Sequence, residues 1–326
     1  MTEAIQAILE RARGAGWQLL PASEGFRLLD CLGLATPMSF GFGDPGDLEA
    51  ADVARLSGDQ VVLKLNGADL PHKTELGGVQ VVPRDLHAIR RAAVAMAERL
   101  EEGDSLTFLL QEFVDVQPAP GEEALLSVAW DQEFGVVASF GVGGIHTEIL
   151  AEHLQPAAAL AVHPVDLMGS RDLMTSLRPV LSNAILTRPH RGRDARLSAS
   201  DLAKQIGRFA RLAAPLLATE VDEIEVNPVV VRGHELIGLD VLVRRGDPRA
   251  TAAVDRPATK IHRLLEPQSI AVVGVSQRLN PGHVIVNNIL RQGFDPSRLW
   301  VIKPGHREIE GCRCFDSLGE LPERAD

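Results

Sequence analysis

A polar loop between two apolar runs carries residue types that could handle phosphate groups. The stretch 61–81 reads VVLKLNGADLPHKTELGGVQV and contains, in order, Lys64, His72, Lys73, Gly77 and Gly78. A lysine ammonium contacts a phosphate as a point charge, and a glycine pair lets backbone N–H groups approach an anion closely. A neutral imidazole nitrogen can attack a phosphorus atom, so His72 is a candidate for phosphoryl transfer. The alternative interpretation is a solvated loop whose cations balance the acidic residues beside them.

A second set of polar side chains is predicted on a β-hairpin near residue 230. The segment 223–243 reads EIEVNPVVVRGHELIGLDVLV, and Gly233-His234 suits the two-residue turn of a type II′ hairpin. In that register Asn227 lies opposite Asp240. Because side chains alternate along a strand, Glu225 is expected on the same face as Asn227 and Asp240.

The same alternation predicts apolar surroundings for these oxygen-bearing side chains. It places Val229, Val231 and Leu236 on their face and a further apolar set on the opposite face, so the hairpin is predicted to be buried. Buried carboxylates are costly unless a cation or a hydrogen-bond donor meets them. Carboxylate and amide oxygens suit Mg²⁺, which takes few protein ligands and completes its shell with nucleotide phosphates. The alternative is a polar cluster held by hydrogen bonds alone.

The composition narrows the class of protein. A length of 326 residues suggests two or three domains, and the net charge of -11 argues against a general nucleic-acid or membrane-surface binder. No apolar run approaches the roughly 20 residues that span a bilayer, and the start MTEAIQAILE does not match a signal peptide. Three cysteines cannot form a disulfide framework. We therefore expect a cytoplasmic protein with no nucleic-acid or membrane partner.

Periodicity places the polar residues among helices and strands. Helices are predicted over 2–13, 23–32, 85–101, 165–183 and 200–218. Strands are predicted over 61–65, 78–82, 106–114, 124–130 and 135–140. Gly141, Gly143 and Gly144 follow the last of these strands and predict a tight turn. Beyond the aperiodic stretch 244–260, the segment 269–304 is predicted to form one βαβ unit.

Taken together, these pieces resemble the ATP-grasp subunit of the NDP-forming acyl-CoA synthetases, which include ADP-forming acetyl-CoA synthetase and feruloyl-CoA synthetase. The matching segments, in the family's order, are VVLK, HKTELGGV, LLQEFV, DQEFGVVASFGVGGIHTEIL and EIEVNPVVV with LDV, and they cover about residues 20–243. The stretch from SIAVVGVS to CRCFDSL resembles the start of the family's CoA-binding Rossmann domain.

The resemblance implies an α/β fold with α+β lobes. A two-lobed ATP-grasp domain would occupy 1–243, with a hinge near 111–121. A linker over 244–267 would lead to an incomplete Rossmann-like CoA-binding domain over 268–326, which begins with its first βαβ unit. Since this last domain is predicted to stop after two strands, we expect a part of a longer enzyme. The missing C-terminal domains would carry the second phosphohistidine of the family.

The resemblance also implies ligands and roles. ATP would lie between the two lobes, with Mg²⁺ beside it and CoA on the second domain. His72 would relay phosphate as the catalytic residue. The implied ATP contacts are Lys64, Lys73, Gly77, Gly78, Glu112, Phe113, Val114, Gly143 and Gly144. The implied Mg²⁺ ligands are Asn227 and Asp240, and the hairpin geometry adds Glu225 as a third candidate. The implied CoA contacts are Gly274, Ser276, Gln277 and Lys303.

The implied reaction joins a carboxylic acid to CoA through an acyl phosphate at the expense of ATP, with an aromatic acid as one candidate substrate and a homodimer as one candidate assembly. The stretch AEHLQPAAALAVHPVD lacks the arginine that the family has in a stretch like FRLAP, so Arg191 or Arg193 is a candidate substitute. Lys303 lies in Ile-Lys-Pro where the family often has NPK. Two alternatives are a non-catalytic nucleotide- or CoA-sensing module and a related ATP-dependent ligase or lyase that uses another acid.

Overall fold

This computed structural model describes residues 3–68, 77–98, 107–115, 121–145, 147–248 and 258–326. The chain divides into two compact units, Met1–Thr251 and Ala252–Asp326. The helices of the first unit are α1 (Glu3–Ala15), α2 (Ala22–Cys31), α3 (Ala50–Val53), α4 (Leu86–Ala97), α5 (Thr147–His153), α6 (Pro156–Ala159), α7 (Ser170–Leu177), α8 (Leu181–Thr187) and α9 (Ala199–Leu217). Its strands are β1 (Ser39–Phe42), β2 (Gln60–Asn66), β3 (Val79–Pro83), β4 (Thr107–Glu112), β5 (Ala124–Asp131), β6 (Gly135–Val142), β7 (Leu160–Pro164), β8 (Val221–Arg232), β9 (Glu235–Gly238) and β10 (Val241–Arg245).

A four-stranded antiparallel sheet forms the smaller lobe of this unit, in the order β1-β4-β2-β3. Alternate residues of β2 and β4, such as Leu63 and Leu110, pack into a core with residues of α4. Asp85 begins α4, because its carboxylate accepts a hydrogen bond from the Ala88 N–H at 2.8 Å. The opposite face of the sheet carries Lys64 and its cross-strand partner Leu109, which belongs to the core of the larger lobe. Strand alternation thus turns one face of this sheet toward the larger lobe.

The larger lobe contains a six-stranded sheet in the order β10-β8-β5-β6-β7, with β9 also paired to β8. The amphipathic helix α9 packs its apolar side into the core of this lobe. Ser198 caps its start, because its hydroxyl accepts a hydrogen bond from the Asp201 N–H at 3.0 Å.

The prediction of a single helix over 165–183 is wrong. The structure has a 3-10 turn at Val165–Leu167, then α7 and α8. Pro179 lies between the two helices, and proline has no backbone N–H to continue a helix.

The hairpin register predicted from the Gly233-His234 turn is confirmed. Arg232 pairs with Glu235, and the Asn227 N–H donates to the Asp240 carbonyl at 3.2 Å. Burial of the hairpin is also confirmed, since Val229 and Ile237 are both buried.

The prediction that Val229, Val231 and Leu236 share a face with Asn227 and Asp240 is wrong. Val226 pairs with Leu126 of β5, whereas Val229 pairs with Ala124, so the register shifts by one residue between them. Leu126 and Ala124 point to the same side, and therefore Val229 lies on the core face with Val226 rather than with Asn227. The extra residue around Asn227-Pro228 acts as a β-bulge that resets the alternation. Val231 and its partner Leu236 are likewise in the core cluster.

The second unit contains helices α10 (Ala258–Leu265) and α11 (Pro281–Arg291) and strands β11 (Ile270–Val273), β12 (Leu299–Ile302), β13 (Glu308–Ile309) and β14 (Cys312–Phe315). The predicted βαβ unit is present as β11, α11 and β12, and β14 adds a third parallel strand beside β12. The prediction of only two strands is therefore wrong. The short pair β13–β14 is joined by Glu310 and Gly311, which both have positive φ, as a tight hairpin turn requires. Helix α10 lies within the segment predicted as a linker.

Across the described ranges, the helices are all too short or too polar to cross a membrane.

Candidate functional site

Lys64 connects the two lobes of the first unit. It projects from β2, is only 4% exposed, and donates a hydrogen bond to the carbonyl oxygen of Leu239. Its Nζ also lies 3.6 Å from Oδ1 of Asp240 and 5.3 Å from the ring centroid of Phe26. A buried ammonium needs such partners, because desolvation otherwise opposes the charged form. The smaller lobe thus delivers a cation to the chain segment between β9 and β10.

Asn227 and Asp240 meet in the hairpin as the sequence predicted, and Glu225 joins them. Oδ1 of Asn227 accepts a hydrogen bond from the Gly144 N–H at 2.9 Å. The Asn227 side chain also lowers the pKa of Glu225, against the larger effect of burial. Oδ1 of Asp240 is buried and finds no hydrogen-bond partner within the described ranges. Burial is the main factor that raises the pKa of Glu225, and the charge of Glu223 raises it further.

These groups fit a hard divalent cation. The set offers two carboxylates and one amide oxygen, which are the ligand types that Mg²⁺ prefers. A cation would satisfy the buried oxygen of Asp240 and favour the ionised form of Glu225. In the part of the chain that the structure describes, no group of three or more His, Cys, Asp or Glu side chains could hold a metal ion. Three protein ligands from Asn227, Asp240 and Glu225 would leave positions on the ion for phosphate oxygens or water.

The raised pKa of Glu225 predicts how its replacement changes stability with pH. In the folded chain Glu225 holds its proton above the ordinary value of 4.5, so wild-type stability falls as pH rises from 4.5 through the raised value. We expect Glu225→Gln to gain stability relative to wild type as pH rises through this window, with the largest advantage at neutral pH. Urea unfolding at pH 4 to 8 measures this. The exposed Glu133→Gln is the control, and parallel profiles for wild type and Glu225→Gln would contradict the prediction.

Two glycines bring the end of β6 against the start of β5. A Cβ on Gly143 would lie 2.2 Å from the backbone carbon of Ala124, and one on Gly144 would lie 1.9 Å from Oε2 of Glu123. Gly144 also has φ +79°, a conformation that favours glycine. The predicted turn begins later than expected, because Gly141 is still paired within β6. Sequence reasoning missed Glu123. The only signal in the sequence is that this acidic residue directly precedes the predicted strand β5.

The segment predicted to hold adenine lies at the end of β4. Glu112 accepts a hydrogen bond from the Ser57 hydroxyl at 2.5 Å, and Phe113 and Val114 are half-buried. Glu112 also lines a cavity of about 830 Å³ between α2 and β1. Sequence reasoning missed Gln111, which is 2% exposed and whose Nε2 has no hydrogen-bond partner among the described residues. A buried amide without a partner is a candidate contact for a ligand.

The remaining predicted residues of the opening loop are placed in part. His72 and Lys73 lie outside the described residues. Gly77 has φ +65°, which favours glycine, and the Gly78 carbonyl accepts from the Leu65 N–H at 2.8 Å. The structure therefore anchors the C-terminal end of this loop against β2.

The two arginines suggested as substitutes for the family's phosphate-binding arginine occupy a basic turn after α8. The residues flanking the turn, His190 and Arg193, exchange backbone hydrogen bonds of 3.0 Å, and Arg191 at the turn has φ +48°. Nη1 of Arg193 lies 3.7 Å from Oε1 of Glu122. Arg193 is thus engaged with a carboxylate.

In the second unit, the predicted CoA contacts surround the turn between β11 and α11. Gly274 has φ +81°, and a Cβ on Gly282 would lie 2.7 Å from the Gly274 carbonyl oxygen, so the helix start packs tightly on the turn. The Ser276 N–H donates to Oδ1 of Asn280 at 3.2 Å, and Gln277 is exposed. Lys303 follows β12, and its N–H donates to the Phe315 carbonyl at 2.8 Å.

Family profiles match both units of the chain. The profile of the ATP-grasp domain matches residues 11–244, and that of the CoA binding domain matches residues 268–326. The chain belongs to the ATP-grasp family. The predicted α/β architecture, with an ATP-grasp fold followed by the start of a CoA-binding domain, is confirmed by these matches.

Relatives of this ATP-grasp chain include acyl-CoA ligases. It is 25% identical over 281 residues to acetate–CoA ligase [ADP-forming] II of Archaeoglobus fulgidus, a match that covers 85% of this chain and 38% of the relative. It is 27% identical over 227 residues to a trans-feruloyl-CoA synthase of an unknown prokaryotic organism, which covers 69% of this chain and 30% of the relative. The chain thus spans less than half the length of either relative. The resemblance to the NDP-forming acyl-CoA synthetases is confirmed.

Solved structures share the fold. A Pyrococcus horikoshii protein, PH1788, superposes with a TM-score of 0.61 and 18% identity, covering 76% of this ATP-grasp chain and 100% of that chain. The dinucleotide-forming acetyl-coenzyme A synthetase 1 of Ca. Korarchaeum cryptofilum superposes with a TM-score of 0.60 and 22% identity, covering 74% and 99%. That protein was solved in complex with coenzyme A, Ca-AMPCP and HgCl⁺.

Proposed function

We propose that this chain is the ATP-grasp part of an ADP-forming acyl-CoA synthetase. The full reaction converts a carboxylic acid, CoA and ATP to acyl-CoA, ADP and phosphate through an acyl phosphate. The observation that carries the proposal is the meeting of Lys64, Asp240, Asn227 and the Gly144 N–H at the junction of the two lobes. The ADP-forming ligases among the relatives support it.

In this proposal, nucleotide binding exchanges the partners of one ion pair. Lys64 and Asp240 neutralise each other in the structure. With the nucleotide bound, Lys64 would turn to a phosphate, and Asp240 would hold Mg²⁺ together with Asn227 and Glu225. The Mg²⁺ ion would neutralise charge on the phosphate oxygens. Both charges thus keep an opposite charge beside them, so neither is left buried and unpaired.

The base of the nucleotide would lie at the end of β4. Glu112, Phe113 and Val114 would hold adenine, and the unpartnered Nε2 of Gln111 is a further donor. Gly143 and Gly144 would approach the phosphates from the larger lobe, and Gly77, Gly78 and Lys73 from the loop. On the second unit, Gly274, Ser276, Gln277 and Lys303 would contact CoA, since the N–H groups at the start of α11 can receive a phosphate.

His72 would carry phosphate between the nucleotide and a second histidine in domains beyond this chain. The feruloyl relative supports an aromatic acid as one candidate substrate. The same proposal includes a homodimer and a cytoplasmic location. It also divides the chain into an ATP-grasp domain over 1–243, a linker over 244–267 and a CoA-binding domain over 268–326.

Calorimetric titration of the purified chain tests the nucleotide part of the proposal. We expect ATP and ADP to bind only when Mg²⁺ is present, because the carboxylates of Asp240 and Glu225 would otherwise face the phosphates without a cation. In the full-length enzyme, His72→Asn is expected to abolish acid- and CoA-dependent formation of ADP while the affinity for Mg²⁺·ATP stays at the wild-type value. Absence of nucleotide binding, or wild-type turnover by His72→Asn, would refute the proposal.

A further inference from the structure

The first residue of β5 and the three residues before it are held from several sides. Gly121 (φ +85°) lies so close to α8 that a Cβ there would stand 2.4 Å from Cδ1 of Ile185. Glu122 is 8% exposed, although it is a charged residue. The next two residues contact the glycine turn: Glu123 reaches Gly144, and the Ala124 backbone lies against Gly143. Residues 121–124 therefore pack between α8 and the Gly143-Gly144 turn, which is hydrogen-bonded to Asn227.

An arginine fork holds the carboxylate of Glu122. Nε and Nη2 of Arg196 donate to Oε1 and Oε2 of Glu122 at 3.1 and 3.0 Å. The backbone N–H of Arg196 donates to the Leu186 carbonyl at 2.8 Å, so a hydrogen bond fixes the backbone of this arginine to α8. A two-point guanidinium contact sets both the position and the orientation of a carboxylate, which a single charge contact does not do.

A continuous series of contacts leads from this fork to the candidate cation site. The carbonyl oxygen of Glu123 accepts from the Gly143 N–H at 3.1 Å. The next N–H, that of Gly144, donates to Oδ1 of Asn227 at 2.9 Å. The fork on Glu122 is thus separated from the amide oxygen of Asn227 by one backbone step and one glycine turn.

We propose that Arg196 is a positioning residue for the cation site: through Glu122 it sets the place of the Gly143-Gly144 turn and, with it, the orientation of Asn227. The proposal rests on the proposed function of Asn227 as a Mg²⁺ ligand. Groups that orient a metal ligand typically change metal affinity by about 10- to 100-fold when they are removed.

The first test is the Mg²⁺ requirement of nucleotide binding to the full chain. With the β,γ-methylene analogue of ATP as the probe, we expect Arg196→Met to raise the Mg²⁺ concentration for half-maximal binding by about 10-fold. The matched control is Arg13→Met, which removes another arginine–glutamate contact of the same unit, at 3.5 Å from Glu220. An unchanged Mg²⁺ requirement in Arg196→Met would overturn the proposal.

A double variant separates positioning from general stability. Arg196→Met alone leaves the Glu122 carboxylate buried with a weaker set of partners, so its melting temperature is expected to fall. In Glu122→Met/Arg196→Met the buried charge is gone, and the melting temperature is expected to recover. The Mg²⁺ requirement is expected to stay about 10-fold raised, because the fork is still absent. A Mg²⁺ requirement that returns to the wild-type value together with the melting temperature would overturn the proposal.

A measurement without nucleotide distinguishes this inference from the proposed function. Amide hydrogen exchange at Gly144, whose N–H is held by Asn227, is expected to be about 10-fold faster in Arg196→Met than in wild type or Arg13→Met. Equal exchange rates would refute the coupling, whether or not the chain binds nucleotide. If the exchange rates differ and the wild-type chain binds no Mg²⁺·analogue, the coupling stands and the proposed function fails.

Discussion

Replacing Lys64 with methionine is expected to weaken binding of Mg²⁺·ATP by about 100-fold, because the variant loses a buried cation at the phosphates. The nucleotide-free chain is also expected to lose about 1–2 kcal/mol of stability. Breaking a fully buried pair costs about 3–5 kcal/mol, but the Asp240 side chain is 30% exposed and water screens part of its charge. Calorimetric titration and urea unfolding measure the two effects.

A second lysine–aspartate pair provides the control for Lys64→Met. Nζ of Lys204 lies 3.0 Å from Oδ1 of Asp201 on the surface of α9, and both side chains are more than half exposed. Lys204→Met should therefore bind Mg²⁺·ATP with the wild-type affinity and change stability by less than about 1 kcal/mol. Equal ATP affinities for the two lysine variants would contradict a phosphate-binding role for Lys64.

Substituting Gly143 with alanine is expected to remove about 3 kcal/mol of stability and to abolish detectable Mg²⁺·ATP binding. The new Cβ would lie 2.2, 2.5 and 2.6 Å from the carbon and oxygen of Ala124 and the nitrogen of Leu125, all of which are backbone atoms. No rotamer change relieves such a contact, so β5 and β6 must separate at this end. That movement would displace Gly144 from Asn227. Urea unfolding and calorimetry measure both losses.

Gly14→Ala is the matched control for this substitution. Gly14 lies in α1, and among the described residues no heavy atom beyond its chain neighbours and helix backbone stands within 4 Å of a Cβ built there. Alanine is favoured over glycine in a helix, so this variant should gain about 0.5 kcal/mol and keep wild-type nucleotide binding. A Gly143→Ala chain as stable as Gly14→Ala would show that β5 and β6 tolerate the extra methyl group.

The exchange of ion-pair partners proposed for Lys64 makes the contacts between the two lobes depend on whether nucleotide is bound. In the structure the smaller lobe is tied to the larger one through Lys64, Leu239 and Asp240. A nucleotide with Mg²⁺ would replace the direct ion pair by a bridge of phosphate and metal between the same two side chains. The lobes would stay connected in both states, while the groups between them change.

Local patterns made much of the fold predictable. Apolar periodicity located helices such as α1, α4 and α9, and alternation located the central strands. The hairpin register followed from the two residues Gly233 and His234, because a two-residue turn leaves only one pairing of the flanking strands. Where prediction failed, a competing signal was present. The apolar period across 165–183 hid the interruption at Pro179, and the four residues of β14 are too few to show a period.

Residue types and spacing in this sequence were enough to determine the hairpin register, the pairing of Asn227 with Asp240 and the family resemblance, since each depends on short-range geometry or on motif order. Only the tertiary structure decided that Lys64 meets Asp240, that Gly144 holds Asn227 and that Arg196 holds Glu122, because these pairs are distant in sequence. It also decided the face of Val229, since a bulge shows only against the partner strand. Alternation predicts where side chains point within one strand, but which groups become neighbours depends on how the lobes pack.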